Sequence, residues 1–114
     1  MNSSTPNSGA LPPGEPTDLK GLLSTVPGSV VSRTLVKHPS GSVTLFSFDA
    51  GQALSEHTAP FDALVTVLSG SVEIAVGGQS TVARAGETVF MPANIPHALK
   101  APEAFRMVLV MLKA

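Results

Sequence analysis

Glycine and proline divide the chain beyond Ser29 into short pieces, falling at Gly41, Gly51, Pro60, Gly70, Gly77, Gly78, Gly86, Pro92, Pro96 and Pro102. The pieces between them are rich in Val, Thr, Ile and Phe, residues that suit a pleated, half-buried surface. Short apolar segments at close, fairly even spacing with turn residues between them predict an all-β sandwich or barrel. The expected strands are "SVVSRTLVKH", "SVTLFSFDA", "LSEHTA", "ALVTVLSG", "SVEIAVGG", "QSTVARA", "ETVFMP", "HALKA" and "FRMVLVML". "PSG" at 39–41 and "VGGQ" at 76–79 carry turn chemistry, and consecutive strands are expected to pair as hairpins. The last segment holds enough Leu and Met to pass for a helix, but Val108, Val110 and the all-β surroundings favour a strand.

Upstream, "MNSSTPNSGALPPGEPT" is rich in Ser, Asn, Pro and Gly and reads as a disordered tail over residues 1–17, with one domain over 18–114. It lacks the basic start and apolar stretch of a secretory signal, so a cytoplasmic location is expected. In "TDLKGLL", Thr17 or Asp18 is placed to cap one short helical turn that tucks Leu19, Leu22 and Leu23 against an apolar surface.

The chain is 43% hydrophobic and 13% charged, yet no apolar run approaches the roughly 18 residues of a membrane span. The excess must be buried in a barrel or at an oligomer interface. "FRMVLVML" reads as buried on both faces, which suits an edge covered by a partner chain. A net charge of -1 and 4% aromatic residues leave no basic patch and few stacking platforms, so no nucleic-acid partner is expected. With no cysteine, any metal has to be held by nitrogen or oxygen.

Two sets of spaced residues stand out. Gly51 is followed after five residues by His57, then Ala59, Ala63 and Gly70; Gly86 is followed after five by Pro92, then Asn94, His97 and Ala101. These sets resemble the two motifs of the cupin family, G-x5-H-x-H-x3,4-E-x6-G and G-x5-P-x-G-x2-H-x3-N. The resemblance implies a jelly-roll β-barrel and a homodimer, but the family's activities are too varied for it to imply one. It also implies a metal site of three histidines and one glutamate, of which His57 and His97 are retained while Ala59 and Ala63 stand at two ligand positions. Asn94 replaces a glycine and is the residue that best tolerates a left-handed turn.

By strand alternation His57 and Ala59 share a face, which in the resembled barrel points inward, with His97 expected to face them from across the interior. Losing one outer-shell partner commonly costs about 10- to 100-fold in metal affinity, so two absent ligands should cost at least about 10²- to 10⁴-fold. Zn, Ni or Cu would then be held loosely by His57 and His97, with Asp62 a third donor only if a bulge turns it inward, and Glu56 less well placed. Two alanines in place of polar ligands leave a roomier, more apolar pocket, with Phe61, Val65, Met91 and Met107 as candidate walls or as ordinary core. His38, beside a hairpin turn, reads as solvated surface.

Three functions compete. The first is a module binding a small molecule in the apolar barrel, oriented by His57 and His97. The second is an enzyme, either a metal-dependent oxygenase or isomerase with an altered ligand set or a proton-transfer catalyst using one histidine. The third is a dimerisation platform, in which the histidines are merely packed.

Overall fold

A computed structural model of the chain describes residues 10–113. Among them a 3-10 turn, Leu19–Gly21, precedes nine strands: β1 (Val30–His38), β2 (Gly41–Phe48), β3 (Ala53–His57), β4 (Phe61–Ser69), β5 (Ser71–Val76), β6 (Gln79–Arg84), β7 (Thr88–Met91), β8 (His97–Lys100) and β9 (Phe105–Lys113). Each segment expected to be extended forms a strand, the ambiguous last one included. Alternation drives the local choice: in β4, Ala63, Val65 and Val67 are buried while Leu64 between them is exposed.

The strands form two antiparallel sheets, ordered β1-β2-β9-β4-β7 and β3-β8-β5-β6. Their inner faces close on one core, in which Phe48 stacks on Phe105 with ring centroids 4.5 Å apart, surrounded by Val65, Val67, Val72 and Ile74. This is the jelly-roll architecture the motifs imply. The expectation that consecutive strands pair holds only for β1 with β2 and β5 with β6. Elsewhere the chain wraps from one sheet to the other, because a run of hairpins would leave one apolar face without a second layer. Gly70 makes one such corner, at φ +73°, where a side chain would run into the Ala104 carbonyl and Phe105.

Strand β9 is not a covered edge. It lies between β2 and β4, with Phe105, Met107, Leu109 and Met111 on the core side and Arg106, Val108, Val110 and Leu112 on the other. Part of that outer face is roofed by the N-terminal segment. Asp18 caps the 3-10 turn by accepting from the Lys20 N–H, and Leu19, Leu22 and Leu23 are half-buried as expected. The Arg106 Nε–H donates to the Leu23 carbonyl at 2.9 Å, and the Thr25 and Ser47 hydroxyls lie 3.5 Å apart. Beneath this roof Leu45 and Ser47 are fully buried although they face away from the main core. The segment read as a tail falls in part on residues 1–9, outside the described residues; within 10–17, the Leu11 N–H donates to the Leu35 carbonyl at 3.3 Å.

Candidate functional site

His57 and His97 meet, but not from across the barrel. They are direct cross-strand partners in the four-stranded sheet, His57 ending edge strand β3 and His97 opening β8. Two features bring them together. A register shift between Leu54 and His57 adds one residue to β3, so that both side chains reach the interior although three positions apart. The segment between β7 and β8 is tied on several sides: the Asn94 N–H donates to the Ala59 carbonyl at 2.8 Å, the Ala93 N–H to Asp62 Oδ1 at 2.9 Å and the Gly77 N–H to the Pro96 carbonyl at 2.8 Å. Asn94 takes the left-handed conformation expected of it, at φ 64°.

The two rings stand edge to face, centroids 4.4 Å apart and planes at 68°, with Nε2 atoms separated by 3.1 Å. His57 Nδ1 lies 2.8 Å from the Ser55 carbonyl and His97 Nδ1 lies 3.3 Å from the Ile95 carbonyl. A carbonyl only accepts, so with the His57 hydrogen on Nδ1 toward Ser55, the 3.1 Å contact is a hydrogen bond from the His97 Nε2–H to His57 Nε2. His97 is 8% exposed. His57 is exposed, because β3 is an edge strand, so the pair sits at a rim and is not wholly buried as the sequence suggests.

Behind the pair lies a chamber of about 60 Å³, room for a few waters or a handful of non-hydrogen atoms. Of the residues named from sequence, Phe61, Met91 and Met107 line it with the histidines, as do Ala59 and Ala63. Val65 does not; it is fully buried in the core. Asp62 and Glu56 are absent from the wall, and the Asp62 carboxylate instead holds the Ala93 amide. Leu54, Leu99, Leu109 and Met111 complete the wall and were not foreseen. Alternation along "FRMVLVM" from Phe105 would have found Leu109 and Met111, a signal obscured by reading that strand as buried on both faces. A wider groove of about 470 Å³ shares Phe61 and Met111 with the chamber and adds Thr34, Lys37, Ser42 and Thr44. His38, also on that groove, is exposed.

Comparison with known proteins agrees with this architecture. The cupin domain family model matches residues 44–112. A conserved Streptococcus pyogenes protein of unknown function is 40% identical, with a TM-score of 0.87 over 91% of each chain. A cupin 2 conserved barrel domain protein from Leptotrichia buccalis is also 40% identical, with a TM-score of 0.83 over 85% of this chain and 47% of its own. A cupin superfamily protein from Desulfitobacterium hafniense is 27% identical, with a TM-score of 0.86 over 91% of this chain and 95% of its own. No curated protein matches. None of the described helices is long and apolar enough to cross a membrane. With both spaced motifs in frame and the family match running from residue 44 to 112, this chain belongs to the cupin family.

Proposed function

We propose that this cupin binds a small organic molecule whose single polar group is oriented by His57 and His97. One observation carries the reading: of the side chains lining the chamber, only these two rings offer strong hydrogen-bonding atoms, and the rest are aliphatic, thioether or phenyl. A chamber of about 60 Å³ admits only the tip of a ligand, such as a hydroxyl, carbonyl or carboxylate on a short apolar stem. The remainder would lie in the adjoining groove, near the Thr34, Ser42 and Thr44 hydroxyls and Lys37. At a ceiling near -1.5 kcal/mol per non-hydrogen atom, a tip of about five atoms yields at best about -7.5 kcal/mol, so the chamber alone supports no tighter than roughly micromolar binding.

The divalent metal centre that the family implies does not fit this donor set. Ala59 and Ala63 present methyl groups to the chamber, and among the described residues no three His, Cys, Asp or Glu side chains are grouped to hold a metal. Zn, Ni or Cu(II) at the pair would rest on two imidazoles and solvent. A metal-dependent oxygenase or isomerase is therefore the weaker reading.

The homodimer that the family implies would form through the outer side of the five-stranded sheet. Phe90, Leu64, Val110, Val43 and Val36 fall in register as one apolar row across all of its strands. Phe90 is 55% exposed there, and a second copy related by a two-fold axis would cover the row with its own.

The test is NMR titration with short-chain alcohols, ketones and carboxylates of about four to seven non-hydrogen atoms. Binders are expected to shift His57, His97 and the Met107 methyl, and to lose affinity in His97→Ala. Binders that shift other surfaces, or that bind His97→Ala equally well, would refute the assignment.

A further inference from the structure

At one end of the five-stranded sheet the division between its two faces is reversed. Along β2, Phe48 and Phe46 point inward, but the next inward residues are Thr44 and Ser42, while Leu45 and Val43 between them point outward. Polar residues on the inward side, backed by apolar ones outside, mark a surface that meets solvent or a polar ligand and not the core. Thr34 and Lys37 of β1 pair in register with Thr44 and Ser42 and complete the patch. It forms the floor of the groove of about 470 Å³ that opens beside Phe61 and Met111.

This floor is rich in donors and holds no acid. It carries the Lys37 ammonium and the hydroxyls of Thr34, Ser42 and Thr44; among the described residues none of these has a protein partner, and no carboxylate lines the groove. Donors without a fixed anion complement a negative charge on the ligand. One fixed positive charge suits a carboxylate better than a doubly charged phosphate ester. The chamber has the opposite preference, because its apolar walls make an ion costly to desolvate.

The sheet also sets the distance between the two ends. Lys37, Ser42, Met111 and Ala63 form one row in register across β1, β2, β9 and β4. Ala63 lines the chamber and Ser42 the groove, two strand spacings apart, or about 9.6 Å. An extended chain gains about 1.2 Å per bond, so about six to eight bonds, with the reach of a hydrogen bond at either end, cover that span.

We infer that the ligand is a small carboxylate whose charge rests in the groove on Lys37, Ser42 and Thr44, while an uncharged hydroxyl or carbonyl at its far end enters the chamber. This ligand class presupposes the small-molecule reading above and adds to it a charge-reading site built from different polar groups.

The test is NMR titration of the full chain with 1-hexanol and 6-hydroxyhexanoate, which differ only in a terminal methyl against a carboxylate, and with 3-hydroxypropanoate, an anion too short to span the two sites. The longer acid is expected to bind about three- to tenfold more tightly than the alcohol, a gain from charged hydrogen bonds that solvent reduces at the exposed Lys37. Lys37→Gln should shrink that gain below about twofold while leaving the response to 1-hexanol, the response to 3-hydroxypropanoate and the circular dichroism spectrum unchanged. Raising NaCl from about 20 mM to about 500 mM should likewise remove most of it. Equal binding of 1-hexanol and 6-hydroxyhexanoate, or wild-type affinity for the acid in Lys37→Gln, would overturn the carboxylate site and leave the chamber reading intact, since that reading depends on the 1-hexanol response and its loss in His97→Ala. A chain silent to 1-hexanol would remove the chamber reading and the bridging ligand with it.

Discussion

Asp62 offers a sharp test of how the site is held together. Its Oδ1 accepts the Ala93 N–H at 2.9 Å, joining β4 to the segment that delivers His97. A hydrogen bond to a charged acceptor contributes about 1.5–3 kcal/mol. Both residues are half-buried, so water recovers part of the loss in Asp62→Ala, and the low end of about 1.5 kcal/mol applies. For a domain of this size each kcal/mol moves Tm by roughly 4–8 °C, which gives a fall of roughly 6–12 °C. Asp62→Asn keeps an acceptor oxygen and forfeits only the charge assistance, so it should lose about half as much. Urea and thermal unfolding followed by circular dichroism measure both. A loss below about 0.5 kcal/mol in Asp62→Ala, or equal losses in the two variants, would refute the anchoring role.

Other positions make equally direct claims. Gly70→Ala should cost about 3 kcal/mol or more, seen as a collapse of the urea midpoint, because its φ of +73° and the Ala104 carbonyl leave no place for a methyl group. His57→Ala should change unfolding free energy by less than about 0.5 kcal/mol, the ring being exposed, while abolishing the NMR response of the chamber to small carboxylates. If the proposed dimer forms through the outer sheet face, Leu64→Glu with Phe90→Glu, placed side by side in register on it, should sediment as a monomer and the unaltered chain as a dimer. A monomeric unaltered chain at high concentration would dispose of that interface.

The strands were readable because their punctuation is local: Gly70, Gly77-Gly78 and Gly86 mark ends without any knowledge of what lies across the barrel. Pairing was less so, since "SVEIAV" after Gly70 looks the same whether it folds back on β4 or crosses to the other sheet. The family spacing identified His57 and His97, but their meeting as neighbours within one sheet depends on the extra residue between Leu54 and His57, which no alternation rule anticipates. Asp62 looked like a stray donor because the amide it holds lies 31 residues further along the chain. Met111 was hidden by a strand apolar on both sides: its outward residues Val108 and Val110 are as hydrophobic as its inward ones.

The roof formed by the N-terminal segment bears on where this domain physically begins. The family match starts at residue 44, inside β2. A chain trimmed to that likeness would forfeit β1 together with Leu23 and Thr25, and would leave Leu45 and Ser47 bare on a sheet face evolved to be dry. Uncovering a leucine costs about 1.5–3 kcal/mol, a large share of the 5–15 kcal/mol that holds a typical domain folded. The autonomous folding unit is therefore longer than the stretch by which its kinship is detected, and excision for biochemical work should start well upstream of Ser29.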